Sequence, residues 1–154
     1  MPKVVDHELR RQEIAAAVWR LASTSGLESV SLRQVAAEAG SSMRLVQYYF
    51  ETKDRMLLYA LRHLNEVLEQ RVRARLDLGR EPTPREIIRA TLVELVPVDE
   101  RGRMVSLVFI AFFVRALHDP AMGEAFRGDG TDELAAFFAA LIRDSQAAGT
   151  SPPG

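Results

Sequence analysis

Ser31 to Phe50 reads SLRQVAAEAGSSMRLVQYYF, two short helices joined at a glycine with their start and stop signals intact. Ser31 followed three residues later by Gln34 is a capping box, in which the hydroxyl accepts the N3 amide and the glutamine side chain reaches back to the cap amide. Val30 and Val35 occupy the two positions of a hydrophobic staple, while Leu32, Val35, Ala36 and Ala39 share one helical face. Gly40 supplies the left-handed conformation that ends this helix. Ser41 or Ser42 caps a second helix over about Met43 to Tyr49, with Leu45 and Val46 inward and Met43, Arg44, Gln47 and Tyr48 outward.

Helices this short need tertiary packing, because nucleation is costly and few residues propagate it. The preceding segment supplies a partner. From about Asp6 to Ser25, Ile14, Val18, Leu21 and Ala22 follow helical spacing, Ala15 and Trp19 widen the stripe, and Gly26 with Leu27 reads as a Schellman stop. Three helices in this order present the second helix of the pair to the major groove of DNA.

With TKDRML opening the next helix, the capped first helix, the SLRQVAAEAG turn and the YYF run resemble the TetR family of bacterial transcriptional regulators over roughly Asp6 to Ala60. The resemblance implies a homodimer with an N-terminal DNA-binding domain and a helical C-terminal domain that binds a small-molecule effector and releases the operator. Carried over by position, Ser31 and Ser42 cap helices beside phosphates, with Arg33 and Met43 on the same DNA-facing side. Arg44 and Gln47 are the base readers, since arginine bonds guanine bidentately and glutamine pairs with adenine. Tyr48, Tyr49 and Lys53 suit phosphate contacts, which position a protein without reading sequence. The chain departs from the family at Gln47, where tyrosine is very common, and at Tyr49, where histidine is common, so the operator sequence is not legible.

Composition neither drives nor opposes that reading. The chain has 154 residues and a net charge of −1, so attraction to DNA must come from a local patch of Arg10, Arg11, Arg33, Arg44, Lys53 and Arg55, diluted by Glu28, Glu38 and Glu51. Cysteine is absent, which excludes disulfides and thiol chemistry. No leader opens the sequence, and Met104 to Val114, its longest apolar segment, falls short of the ~18 residues of a membrane span; a cytoplasmic protein is expected. The three histidines, His7, His63 and His118, are scattered, and no nucleophile sits beside an evident base, so an enzyme is not expected.

The remaining sequence predicts an all-α protein, with a DNA-binding domain over 1–52 and an effector-binding and dimerisation domain over 53–154. Thr52 starts a helix reaching about Leu78 and ended by Gly79, with Leu57, Leu61, Leu64 and Leu68 in one stripe. Thr83, Pro84 and Glu86 form a second capping box, opening a helix that carries Ile87, Ile88, Leu92 and Leu95. Asp99 starts a helix to about Leu117 whose apolar breadth predicts burial on several sides. A short helix follows His118-Asp119-Pro120. GDGTDEL then resembles a calcium loop only superficially, and Thr131 as a helix cap explains it without a metal. The last helix carries Leu134, Phe137, Phe138, Leu141 and Ile142, and no later helix covers its stripe, so the chain reads as C-terminally truncated relative to the family.

His63, Phe109, Phe112 and Phe113 are the candidates for lining an effector cavity, and aromatic groups there suit a quaternary ammonium compound. No cofactor is expected. The alternative function is a helical protein-interaction module that keeps the helix-turn-helix shape without reading DNA.

Overall fold

The computed structural model describes residues 6–76, 79–96, 99–127, 131–147 and 149, and among them every regular element is a helix. The order is α1 (His7–Ser25), a 3-10 turn (Leu27–Ser29), α2 (Leu32–Glu38), α3 (Met43–Phe50), α4 (Lys53–Ala74), α5 (Pro84–Leu95), α6 (Glu100–His118), α7 (Pro120–Arg127) and α8 (Thr131–Ala147). Gly128 to Gly130 and the side chains of 125–135 and of Phe137, and with them the calcium-like segment and part of the α8 stripe, lie outside the described residues.

One apolar core runs through the reader and the helices behind it. Ile14 and Val18 of α1, Val35 of α2, Val46 and Phe50 of α3, and Met56, Leu57 and Leu61 of α4 are all buried. Val105, Val108 and Phe112 of α6 and Met122 of α7 belong to the same cluster, so the core is continuous across residue 52. Burying side chains of this kind contributes about 1.5–3 kcal/mol each. Trp19 adds a polar anchor, donating its Nε1 proton to the Ala60 carbonyl at 3.0 Å and tying α1 to α4.

Four details differ from the sequence expectation. Gly26 has φ 78° and ψ 156°, a region open essentially to glycine alone, so the chain leaves α1 directly into the 3-10 turn and forms no Schellman stop. α4 ends at Ala74, before the expected Gly79, and its last turn is committed to α5. α5 turns Ala90 and Glu94 inward while Leu92 and Leu95 face solvent. The Glu94 carboxylate, 4% exposed, pairs with Arg75 Nε and stands 2.6 Å from Arg71 Nε, the latter out of line for a hydrogen bond. A buried charge requires such partners, and that requirement sets which face of α5 is covered. Finally, α6 is buried on one side only: Leu107, Ile110, Val114 and Leu117 are 41–66% exposed, because α1 and α7 cover the face that carries Val108 and Phe112.

The second capping box forms fully at Thr83 and Glu86, with Pro84 at the first helical position. Arg80 and then the Thr83 amide and hydroxyl hold the Glu86 carboxyl at about 2, below its ordinary 4.5. Between these two values the unfolded chain binds a proton that the folded chain refuses, so this contribution is present above pH 4.5 and is lost as pH falls through 2. In thermal unfolding followed against pH, Glu86→Gln should flatten this part of the profile and approach the parent near pH 2. Parallel profiles for the two proteins would refute the assignment.

Candidate nucleic-acid interface

The site is built from caps outward. Ser31 Oγ accepts the Gln34 amide at 3.3 Å, and its own proton goes to Gln34 Oε1 at 2.8 Å, so the glutamine answers the hydroxyl and not the cap amide. Val30 and Val35 are buried as the staple requires. Gly40 takes φ 60°, and the Ser41 amide reaches back to the Ala36 carbonyl at 2.8 Å, closing α2. Ser42, rather than Ser41, caps α3 by accepting the Leu45 amide at 3.1 Å.

This capping fixes the orientation of α3. Val46 and Phe50 are 0% and 2% exposed and lock the helix onto the core. Met43, Arg44, Gln47 and Tyr48 line the opposite side in solvent, Tyr48 at 71% exposure. Tyr49 is half-buried, its hydroxyl 3.0 Å from His7 Nδ1, which ties the end of α3 to the start of α1. Beneath it Arg11 stacks over the Phe50 and Tyr59 rings and donates to the Tyr49 carbonyl at 3.3 Å. The Tyr59 hydroxyl donates to Glu8, and burial first, with that hydrogen bond second, pushes its ionisation upward.

The expected basic patch is partly consumed by internal pairs. Arg10 binds Glu13 and Arg55 binds Glu51, each at 2.6 Å, while Arg11 serves the core. Among the described residues Arg33 and Arg44 are exposed with no ion-pair partner. Lys53, at the first position of α4, donates to the Glu28 carbonyl at 3.1 Å. Between α3 and α4 the chain turns at Glu51, where φ is 60° and the Thr52 amide meets the Phe50 carbonyl at 2.6 Å. Sequence reading missed this γ-turn, since no glycine marks it.

The four effector candidates are spread over two environments. His63 stacks on Trp19 at 5.2 Å and pairs with Glu66 at 3.3 Å. Phe112 is fully buried in the core, whereas Phe109 is half-buried and Phe113 is 46% exposed one turn further along α6. A shallow depression on the surface is lined by Arg20, Leu21, Ser23, Thr24 and Glu38 and touches none of the four. No helix among the described residues is long and apolar enough to cross a membrane.

These features define a helix-turn-helix protein: a capped, outward-facing second helix on a three-helix support, followed by further helices. Comparison with known proteins gives the family. Residues 14–60 match the bacterial regulatory proteins of the tetR family, and residues 84–154 match the C-terminal domain of BetI-type transcriptional repressors. The regulator PksA of Bacillus subtilis is 36% identical over 126 residues, covering 81% of this chain and 60% of PksA. A crystal structure of a transcriptional regulator from Rhodococcus sp. Rha1 is similar at TM-score 0.65 and 31% identity, covering 93% of this chain and 87% of that one. A regulator from Saccharomonospora viridis, solved in complex with choline, is similar at TM-score 0.76 and 28% identity, covering 92% and 72%. The chain belongs to the tetR family of bacterial transcriptional regulators, and its relatives are regulators, not enzymes. It spans about three fifths of the length of the curated relatives it matches.

Proposed function

We propose that this chain is a cytoplasmic, ligand-responsive repressor that binds operator DNA as a homodimer and releases it when a small molecule occupies the helical part behind the reader. The observation that carries the reading is the polarity of α3: Val46 and Phe50 are buried while Met43, Arg44, Gln47 and Tyr48 stand in solvent, Tyr48 edge-on against Tyr49. Arg44 and Gln47 read base edges. Ser31, Arg33, Ser42, Tyr48, Tyr49 and Lys53 meet phosphates around them. In this division residues 1–52 read DNA and 53–154 respond to effector.

For the effector, the BetI-type match and the choline bound to the Saccharomonospora viridis regulator favour a small organic cation. Phe109 and Phe113 of α6 are the aromatic candidates to meet it, and Phe112 and His63 are the further candidates, one in the core and one stacked on Trp19. A protein-interaction module has no comparable observation in its favour.

Selection of bound sequences from a pool of random duplexes tests the reading. The expected result is a two-fold symmetric site with half-sites about one helical turn apart, from which organic cations such as choline displace the protein. Failure to enrich any sequence defeats the DNA assignment. Enrichment with no release by any cation in such a screen defeats the effector class alone.

A further inference from the structure

Arg115, in the last turn of α6, makes the longest-range polar connection among the described residues. Its Nη1 donates to both carboxylate oxygens of Glu28 at 3.0 and 3.1 Å, bridging 87 residues to the 3-10 turn beside α2. Nη2 reaches Asp54 at 3.4 Å in the first turn of α4, and Asp119 accepts from both Nε and Nη2 at 3.2 and 3.1 Å. The guanidinium side chain is only 20% exposed, and a fork of fixed donors shared by three carboxylates is geometrically demanding. An isolated exposed pair carries little energy; this network joins three segments around one half-buried cation.

The same turn meets the DNA-facing side. The backbone carbonyl of Glu28, whose side chain Arg115 holds, accepts the Lys53 ammonium at 3.1 Å. A lysine has three protons to donate, so one bond to a carbonyl orients the ammonium and leaves two for a phosphate. The carboxylates of Glu28 and of Asp54, the residue after Lys53, are both paired with Arg115.

We propose that Arg115 is a positioning residue for DNA binding: it holds the Leu27–Ser29 turn against the end of α6, and through the Glu28 carbonyl sets where Lys53 stands. The proposal rests on the reading that Lys53 meets a phosphate, and it gives the response a route. Phe109 and Phe113 lie on the helix whose last turn carries Arg115, so a displacement of α6 moves a backbone contact of the reader without passing through α3.

Operator affinity decides it, measured by fluorescence anisotropy on a duplex the protein itself has selected, for the parent, Arg115→Ala, Lys53→Ala and the double variant. Lys53→Ala should weaken binding roughly tenfold and lower the salt slope by about one. Arg115→Ala should weaken it roughly fivefold, and the double variant should bind no worse than Lys53→Ala, because one residue acts through the other. Independent losses that multiply in the double variant, or an unchanged affinity for Arg115→Ala, would overturn the proposal. Should Arg115→Ala fail to fold, Glu28→Gln decides. Removing that negative charge alone would tighten binding, so weaker binding supports positioning and equal or tighter binding refutes it. If Lys53→Ala binds as the parent does, the proposal fails while the reading of α3 stands. If the parent selects no duplex, both fall.

Discussion

Phe112→Ala should cost about 3–5 kcal/mol of folding stability, the range for deleting a buried aromatic ring from a core. The side chain is 0% exposed and shares a cluster with Ile14 and Val18 of α1, against which α6 packs. Removing the ring forfeits its transfer free energy and leaves a cavity. The cavity collapses poorly because α1 is anchored on its other side by Trp19 and the α2–α3 pair. Against a total stability of about 5–15 kcal/mol, such a loss brings a domain close to unfolding at ambient temperature. Denaturant titration should show a large fall in midpoint with an unchanged slope. Ile110→Ala, two residues away on the solvent side and 55% exposed, serves as the control and should change stability by less than about 0.5 kcal/mol. Equal losses at the two positions would show that α6 is covered on both sides.

That pair of substitutions also marks where sequence reading stops. The reader was legible because its signals are local: a serine three residues before a capped amide, a glycine where φ is positive, a staple of two valines. Each is decided by neighbours in the chain, and Ser42, Gly40, Val30 and Val46 stand as expected. α6 was misread because its residues are apolar all round, and periodicity then cannot say which side finds a partner. Glu94 reads in sequence as one polar residue between Val93 and Leu95, and only Arg71 of α4 and Arg75 at its C-cap explain its burial. Arg115 and Glu28 carry no motif at all. Their meeting across 87 residues is a product of how α6 crosses α1, so the connection between α6 and the helix-turn-helix had no signature to find.

Replacing Arg44 and Gln47 together by alanine is expected to abolish specific operator recognition while leaving the fold intact. Both side chains are exposed on α3, three residues apart and so on one face, and neither makes an ion pair among the described residues. Their loss should therefore move stability by no more than about 0.5 kcal/mol, the usual range for surface substitutions without structural partners. Binding is different in scale. A good bidentate contact to a base edge discriminates by about 1–3 kcal/mol, so losing two weakens the specific complex by at least about thirtyfold and by far more if both are well formed. Phosphate contacts survive, and the double variant should retain a weak, salt-sensitive affinity that no longer distinguishes operator from random duplex. Arg44→Lys sharpens the test, because lysine keeps the charge but loses the planar fork. If Arg44 only attracts phosphate, the lysine variant will bind the selected operator as the parent does. If it reads guanine, the lysine variant will keep its affinity for random duplex and lose its preference, which separates a base reader from a cation that happens to face the groove.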